Sequence, residues 1–132
     1  MNKSAEIRMV IKMDYTELIN AGTDIDALIK RLGDGEKMIG KLFAIFLKDK
    51  SFSDLTTAIA DDDYDKAVAA SHTLKGMCGN MSLTELFKLF EEQVNLMRAD
   101  KWNEAYQMMG NITEKYENAK QKIQLWLDNE CN

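Results

Sequence analysis

The 132-residue chain contains no proline, and no other feature constrains its fold as strongly. Proline breaks helix interiors and favours turns, so a chain without it is free to be helical almost throughout. The apolar residues use that freedom. From Asp14 to Ala21, Tyr15, Leu18 and Ile19 predict a short helix ending at Gly22, a suitable glycine for a left-handed C-terminal residue. Thr23 then offers an N-cap hydroxyl to Asp24–Leu32, where Ile25, Leu28, Ile29 and Leu32 recur at helical spacing. Gly33-Asp34-Gly35 punctuates the chain. A long helix follows from Glu36 to Ile59, its broad apolar face running from Met38, Ile39, Phe43, Ile45 and Phe46 to Leu55, with a kink or join at Ser51. Asp61-Asp62-Asp63 reads as a turn and an acidic first turn, suited to the positive end of the next helix, Tyr64–Gly79.

Ser82-Leu83-Thr84-Glu85 has the form of a capping box and opens a helix carrying Leu83, Leu86, Phe87, Phe90, Val94 and Met97. After a turn at Asp100-Lys101, the last helix carries Trp102, Ala105, Tyr106, Met109, Ile112, Tyr116, Ala119, Ile123 and Trp126 or Leu127. That spacing keeps its register through Gly110-Asn111, so the helix is expected to continue there at about 1 kcal/mol for the glycine. Four amphipathic helices with short connections predict an all-α, antiparallel up-down four-helix bundle, one or two short N-terminal helices covering an end. Residues 1–132 read as a single domain, with 14–132 its core and 1–13 an arm or extra helix.

Charge and hydropathy exclude several functions. A net charge of −5 leaves no basic stripe for nucleic acid. No run approaches 18 uncharged apolar residues, so no membrane span is expected. Lys3, Glu6, Arg8 and Lys12 interrupt the N-terminus too often for a signal peptide. Cys78 lies on an apolar stripe and Cys131 is next to last, which predicts free thiols and a cytoplasmic protein.

The single histidine, His72, is the candidate reactive group. At 100° per residue, Ala67, Ala70, Leu74, Met77, Cys78 and Met81 form an apolar stripe almost opposite the imidazole. Val68, Ala69, Lys75, Gly76 and Gly79 lie within about 60° of it. The imidazole therefore points at water from a surface stripped of large side chains. One histidine and two distant cysteines are too few for a zinc site, so no metal is expected. Ser71 and Cys78 lie too far around the helix to serve as its nucleophilic partners. What remains is a histidine that is itself the nucleophile, since a neutral imidazole nitrogen can accept a phosphoryl group. Lys75, at i+3, would neutralise the added charge. Gly76 and Gly79, each unfavourable inside a helix, would clear space for an incoming protein.

His72-Thr73-Leu74-Lys75-Gly76, followed by Asn80-Met81-Ser82-Leu83 and Leu86, resembles the His-x-Leu-Lys-Gly signature of histidine-containing phosphotransfer (HPt) domains. The order Leu28–Gly35, a Phe-rich helix, then Asp61–Ala70 is also similar to that family. The resemblance implies a phosphorelay intermediary of two-component signalling. It would carry a phosphoryl group on His72 between the aspartates of response-regulator receiver domains, or from a histidine kinase, and would not itself be an enzyme. It would need no cofactor, because magnesium and the catalytic carboxylates would sit on the receiver. Val68, Ala69, Gly76 and Gly79 would form the docking patch, and a monomer is expected. Two features depart from the family. Ser82 replaces the glycine usual ten residues after the histidine, and Ser71 stands where alanine is common. Many members also place a glutamine near the imidazole; Gln93 is the candidate here, one position from the usual register, where Val94 sits. Three readings remain: the shuttle, a bundle that docks receivers or other partners without transfer, and a metal- or acid/base-dependent enzyme.

Overall fold

The structure, a computed structural model, describes residues 15–32 and 36–130. The expected arm at 1–13, the Gly33-Asp34-Gly35 break and Cys131 lie outside the described residues. Eight helical segments are present among those described: α1 Thr16–Asn20, α2 Ile25–Leu32, α3 Glu36–Lys48, α4 Ser51–Ala60, α5 Tyr64–Asn80, α6 Thr84–Arg98, α7 Trp102–Gln107 and α8 Met109–Glu130. They build the expected all-α bundle. α4 packs on α5, α5 on α6, and α6 on α7 and α8, while α3 closes the ring against α8. The first and last arms are thus each made of two segments. The short α1 lies on α8.

The join expected at Ser51 falls at Asp49-Lys50, where the Ser51 N–H donates to Asp49 Oδ1 at 2.7 Å and starts α4 afresh. The last arm differs from expectation. Gly110 is helical, and the irregularity lies at Met108, whose backbone stays right-handed while its N–H reaches Ala105 O at only 3.3 Å.

Four of the connections share one device. After α1, α4, α5 and α6 the chain enters the left-handed region at Gly22, Asp62, Ser82 and Asp100. In each case the next residue's N–H bonds back five residues, as in Leu83 N–H to Cys78 O at 2.9 Å and Asp63 N–H to Ala58 O at 2.8 Å. This is the Schellman ending, which satisfies carbonyls that a helix terminus otherwise orphans. It also corrects the capping box expected at Ser82. Ser82 sits in the ending of α5 at φ 53°, Leu83 occupies the N-cap of α6, and no side chain caps that helix. The left-handed geometry explains why glycine suits this position, since a Cβ there costs about 1–2 kcal/mol. A second cap also moves: Asp24, not Thr23, caps α2, its Oδ1 accepting from Ala27 N–H at 3.1 Å. Thr23 instead pairs with Leu83 as an isolated antiparallel bridge.

The core joins all arms. Ile39, Phe43 and Phe46 of α3 meet Tyr116, Ile123 and Trp126 of α8 in a buried cluster, with Phe46 edge-on to Tyr116 and Phe43 edge-on to Trp126. Tyr15 stacks on Trp126, and Phe52 stacks on Tyr116 at 4.0 Å between centroids. The apolar face of α3 is narrower than expected, because Met38 and Ile45 are more than half exposed. Each lies one residue before or after the buried row Ile39, Phe43, Phe46, and a single helix step of 100° is enough to turn a side chain to solvent.

Candidate functional site

α5 carries the site. Asp63 caps its start, accepting from Lys66 N–H at 3.3 Å, which gives the acidic turn its role. Ala67, Ala70, Leu74 and Cys78 are buried, so the helix packs by the stripe read from the sequence. That packing leaves His72 and Thr73 exposed on the opposite side. Burial pushes the Cys78 thiol from its ordinary 9.0 up to about 12, which keeps it protonated and inert at neutral pH.

Around His72 the expected residues separate into two groups. Gly76 is exposed, and a Cβ there would meet nothing within 4 Å; Ala69 is exposed and lines an open groove of about 460 Å³ between α4 and α5. Lys75 is half-buried one turn beyond His72 and forms no ion pair with any described residue. Gly79 belongs to the other group. It is half-buried, and a Cβ would come within 3.1 Å of Phe87 Cδ1 on α6. Close packing of α5 on α6 therefore accounts for this glycine, correcting the expectation that it provides clearance for a partner. Val68 is half-buried and packs against the core, so it offers a partner only an edge.

Gln93 is also corrected. It is fully buried on α6, which removes it from any partner-binding surface. Its Nε2 donates to Ala105 O at 3.1 Å and lies 3.1 Å from Met109 Sδ, while its Oε1 accepts from Ser71 Oγ at 2.7 Å. A carbonyl can only accept, so the Ala105 bond fixes which end of the amide faces Ser71. The Ala105 carbonyl is available because the break at Met108 leaves it only a long backbone bond. Gln93 thus ties α5, α6 and the α7–α8 junction together through Ser71, the residue before the histidine. The sequence showed a polar residue next to the apolar Val94, but not the distant carbonyl that calls for it.

Arg31 was not anticipated from the sequence at all. From α2 it donates through Nη1 to Gly79 O at 2.9 Å, and through Nη2 to Asn80 O at 2.5 Å and Ser82 Oγ at 2.8 Å. Its partners lie 48 to 51 residues away, beyond the reach of any local pattern.

No group of three or more His, Cys, Asp or Glu residues among those described is arranged to hold a metal ion. What the site offers chemically is one exposed imidazole, a cation one turn away and open space at Gly76.

Fold and site together define a helical bundle that presents a single histidine on one arm. Residues 48–122 match the family model described as "Hpt domain", and the chain belongs to that family. Its members are phosphocarrier modules of histidine phosphotransfer and phosphorelay signalling. No curated protein and no solved structure matches the chain. No helix among the described residues is long and apolar enough to cross a membrane.

Proposed function

We propose that His72 is the phosphoacceptor of a phosphorelay intermediary that works between response-regulator receiver domains, or between a histidine kinase and a receiver. A neutral imidazole nitrogen attacks the phosphorus of an aspartyl phosphate. The P–N bond forms as the P–O bond to the aspartate breaks, and the carboxylate leaves with the electron pair. The reverse reaction passes the group to a second receiver. Magnesium is held by the receiver, so this chain supplies the nucleophile and its setting. Lys75, one turn on, offsets the charge of the phosphorylated imidazole, worth more from a half-buried position than from open water. Gly76 and Ala69 give the receiver its approach. On this reading the protein acts as a monomer in the cytoplasm, in keeping with the free thiol at Cys78.

The observation that carries this reading is an exposed His72 beside a Gly76 whose missing side chain faces open space. The experiment is incubation with a phosphorylated receiver. An acid-labile, base-stable phosphate is expected on the wild-type protein, and none on His72→Gln, whose helicity is unchanged because the side chain is exposed. Label surviving the substitution would sink the assignment. Receiver binding without any label would make the chain a docking module.

A further inference from the structure

The half of α5 beyond His72 is intrinsically weak. Gly76 and Gly79 both lower its helical propensity, and the helix ends on a serine held at φ 53°. This is also the stretch a receiver has to approach. Something outside the helix must therefore stabilise it, and the hydrogen bonds of Arg31 converge there.

We propose that Arg31 is a positioning residue: it ties α2 to the last turn of α5, keeping Gly76–Asn80 helical and the Ser82 turn in place beside His72. The three bonds divide the work. The Asn80 carbonyl is one of the last four of the helix, which have no intrahelical partner, and Arg31 Nη2 supplies one. The Gly79 carbonyl, which also accepts the Ser82 N–H at 3.1 Å, receives Nη1. The Ser82 hydroxyl receives Nη2 as well, so the residue in the left-handed conformation is held by its side chain. The guanidinium charge at a helix C-terminus adds a favourable dipole interaction. The backbone reinforces the tie from the other end of α2, where Asp24 N–H donates to Ser82 O at 2.8 Å. Lysine is no substitute, because a fixed fork of donors is what reaches three acceptors at once. Arg31 precedes the residues matched by the family model, so the segment before the match takes part in shaping the site.

The inference rests on His72 being the phosphoacceptor, and three readouts keep the two apart. In full-length Arg31→Met, amide hydrogen exchange at Met81, Ser82 and Leu83 is expected to accelerate about tenfold or more, with the interior of α8 unchanged. Transfer from a phosphorylated receiver is expected to slow about tenfold, because a small misplacement in a docked complex costs rate. Labelling by phosphoramidate, a small donor that needs no docking, stays at the wild-type rate. Arg31→Lys keeps one point of attachment and falls between, which covers the case of a methionine variant that fails to fold. Unchanged exchange at residues 81–83, or receiver transfer at the wild-type rate in both variants, would overturn the inference. Equal slowing with both donors would overturn it too, since that marks a general loss of structure. A wild-type protein that neither donor labels would overturn the proposed function, and exchange alone would still judge the tie.

Discussion

Replacing Gln93 with leucine tests whether the buried amide locks the histidine arm to its neighbours. Leucine approximates the volume, so the change isolates polarity from packing. Besides Met109 Sδ, a weak acceptor, two oxygen groups lose a partner. The Ser71 hydroxyl, with no exposed surface, loses its acceptor at 2.7 Å. The Ala105 carbonyl loses the Nε2 donor but keeps the long Met108 N–H bond at 3.3 Å. An unsatisfied buried polar group costs about 1–3 kcal/mol. One full and one partial penalty put Gln93→Leu at about 2–4 kcal/mol of lost stability. Ser71→Ala strands only the Gln93 carbonyl oxygen and is expected to cost about 1–2 kcal/mol. In the double variant neither the stranded hydroxyl nor the stranded carbonyl remains, so its loss falls short of the sum by both penalties, about 2–4 kcal/mol. Urea unfolding followed by helical circular dichroism measures all four proteins, with equal slopes confirming comparable denatured states. Single losses that add to within about 0.3–0.5 kcal/mol would refute the coupling.

Two glycines three residues apart on the same arm are expected to respond differently. Gly76→Ala, with open space around the new Cβ, is expected to raise stability by about 0.5–1 kcal/mol. Gly79→Ala is expected to gain less or lose, since Phe87 must give way from 3.1 Å; thermal melts of both read the difference, and equal gains would refute the packing role. The thiol predicts an alkaline effect. Cys78 keeps its proton in the folded state up to about 12 and loses it near 9.0 when unfolded. Stability from this group is complete below pH 9 and falls as pH rises through that window, by about 1.4 kcal/mol per pH unit. Tyr116, raised first by burial and then by Asp49, steepens the fall. Cys78→Ala is expected to flatten the pH dependence of urea unfolding between 9 and 12, and an unchanged slope would refute it.

Much of this protein follows from sequence because much of it is local. Helix periodicity placed the buried stripe of α5, and so turned His72 outward, since the face of a helix is fixed by a repeat of 3.6 residues. The absence of proline, the join near Ser51 and the ending at Gly22 were legible for the same reason. What tertiary structure decided concerns pairs far apart in the chain. Whether Gly79 serves clearance or packing depends on Phe87 arriving from α6. Gln93 turns inward because a helix irregularity at Met108 leaves a carbonyl short of a donor. The turn at Ser82 is reached from α2 by Arg31 and Asp24, contacts that no local pattern announces. Local pattern determined where the histidine points; only the packing of the arms decided what holds it there, because hydrogen bonds across 22 to 51 residues leave no periodic trace in the sequence.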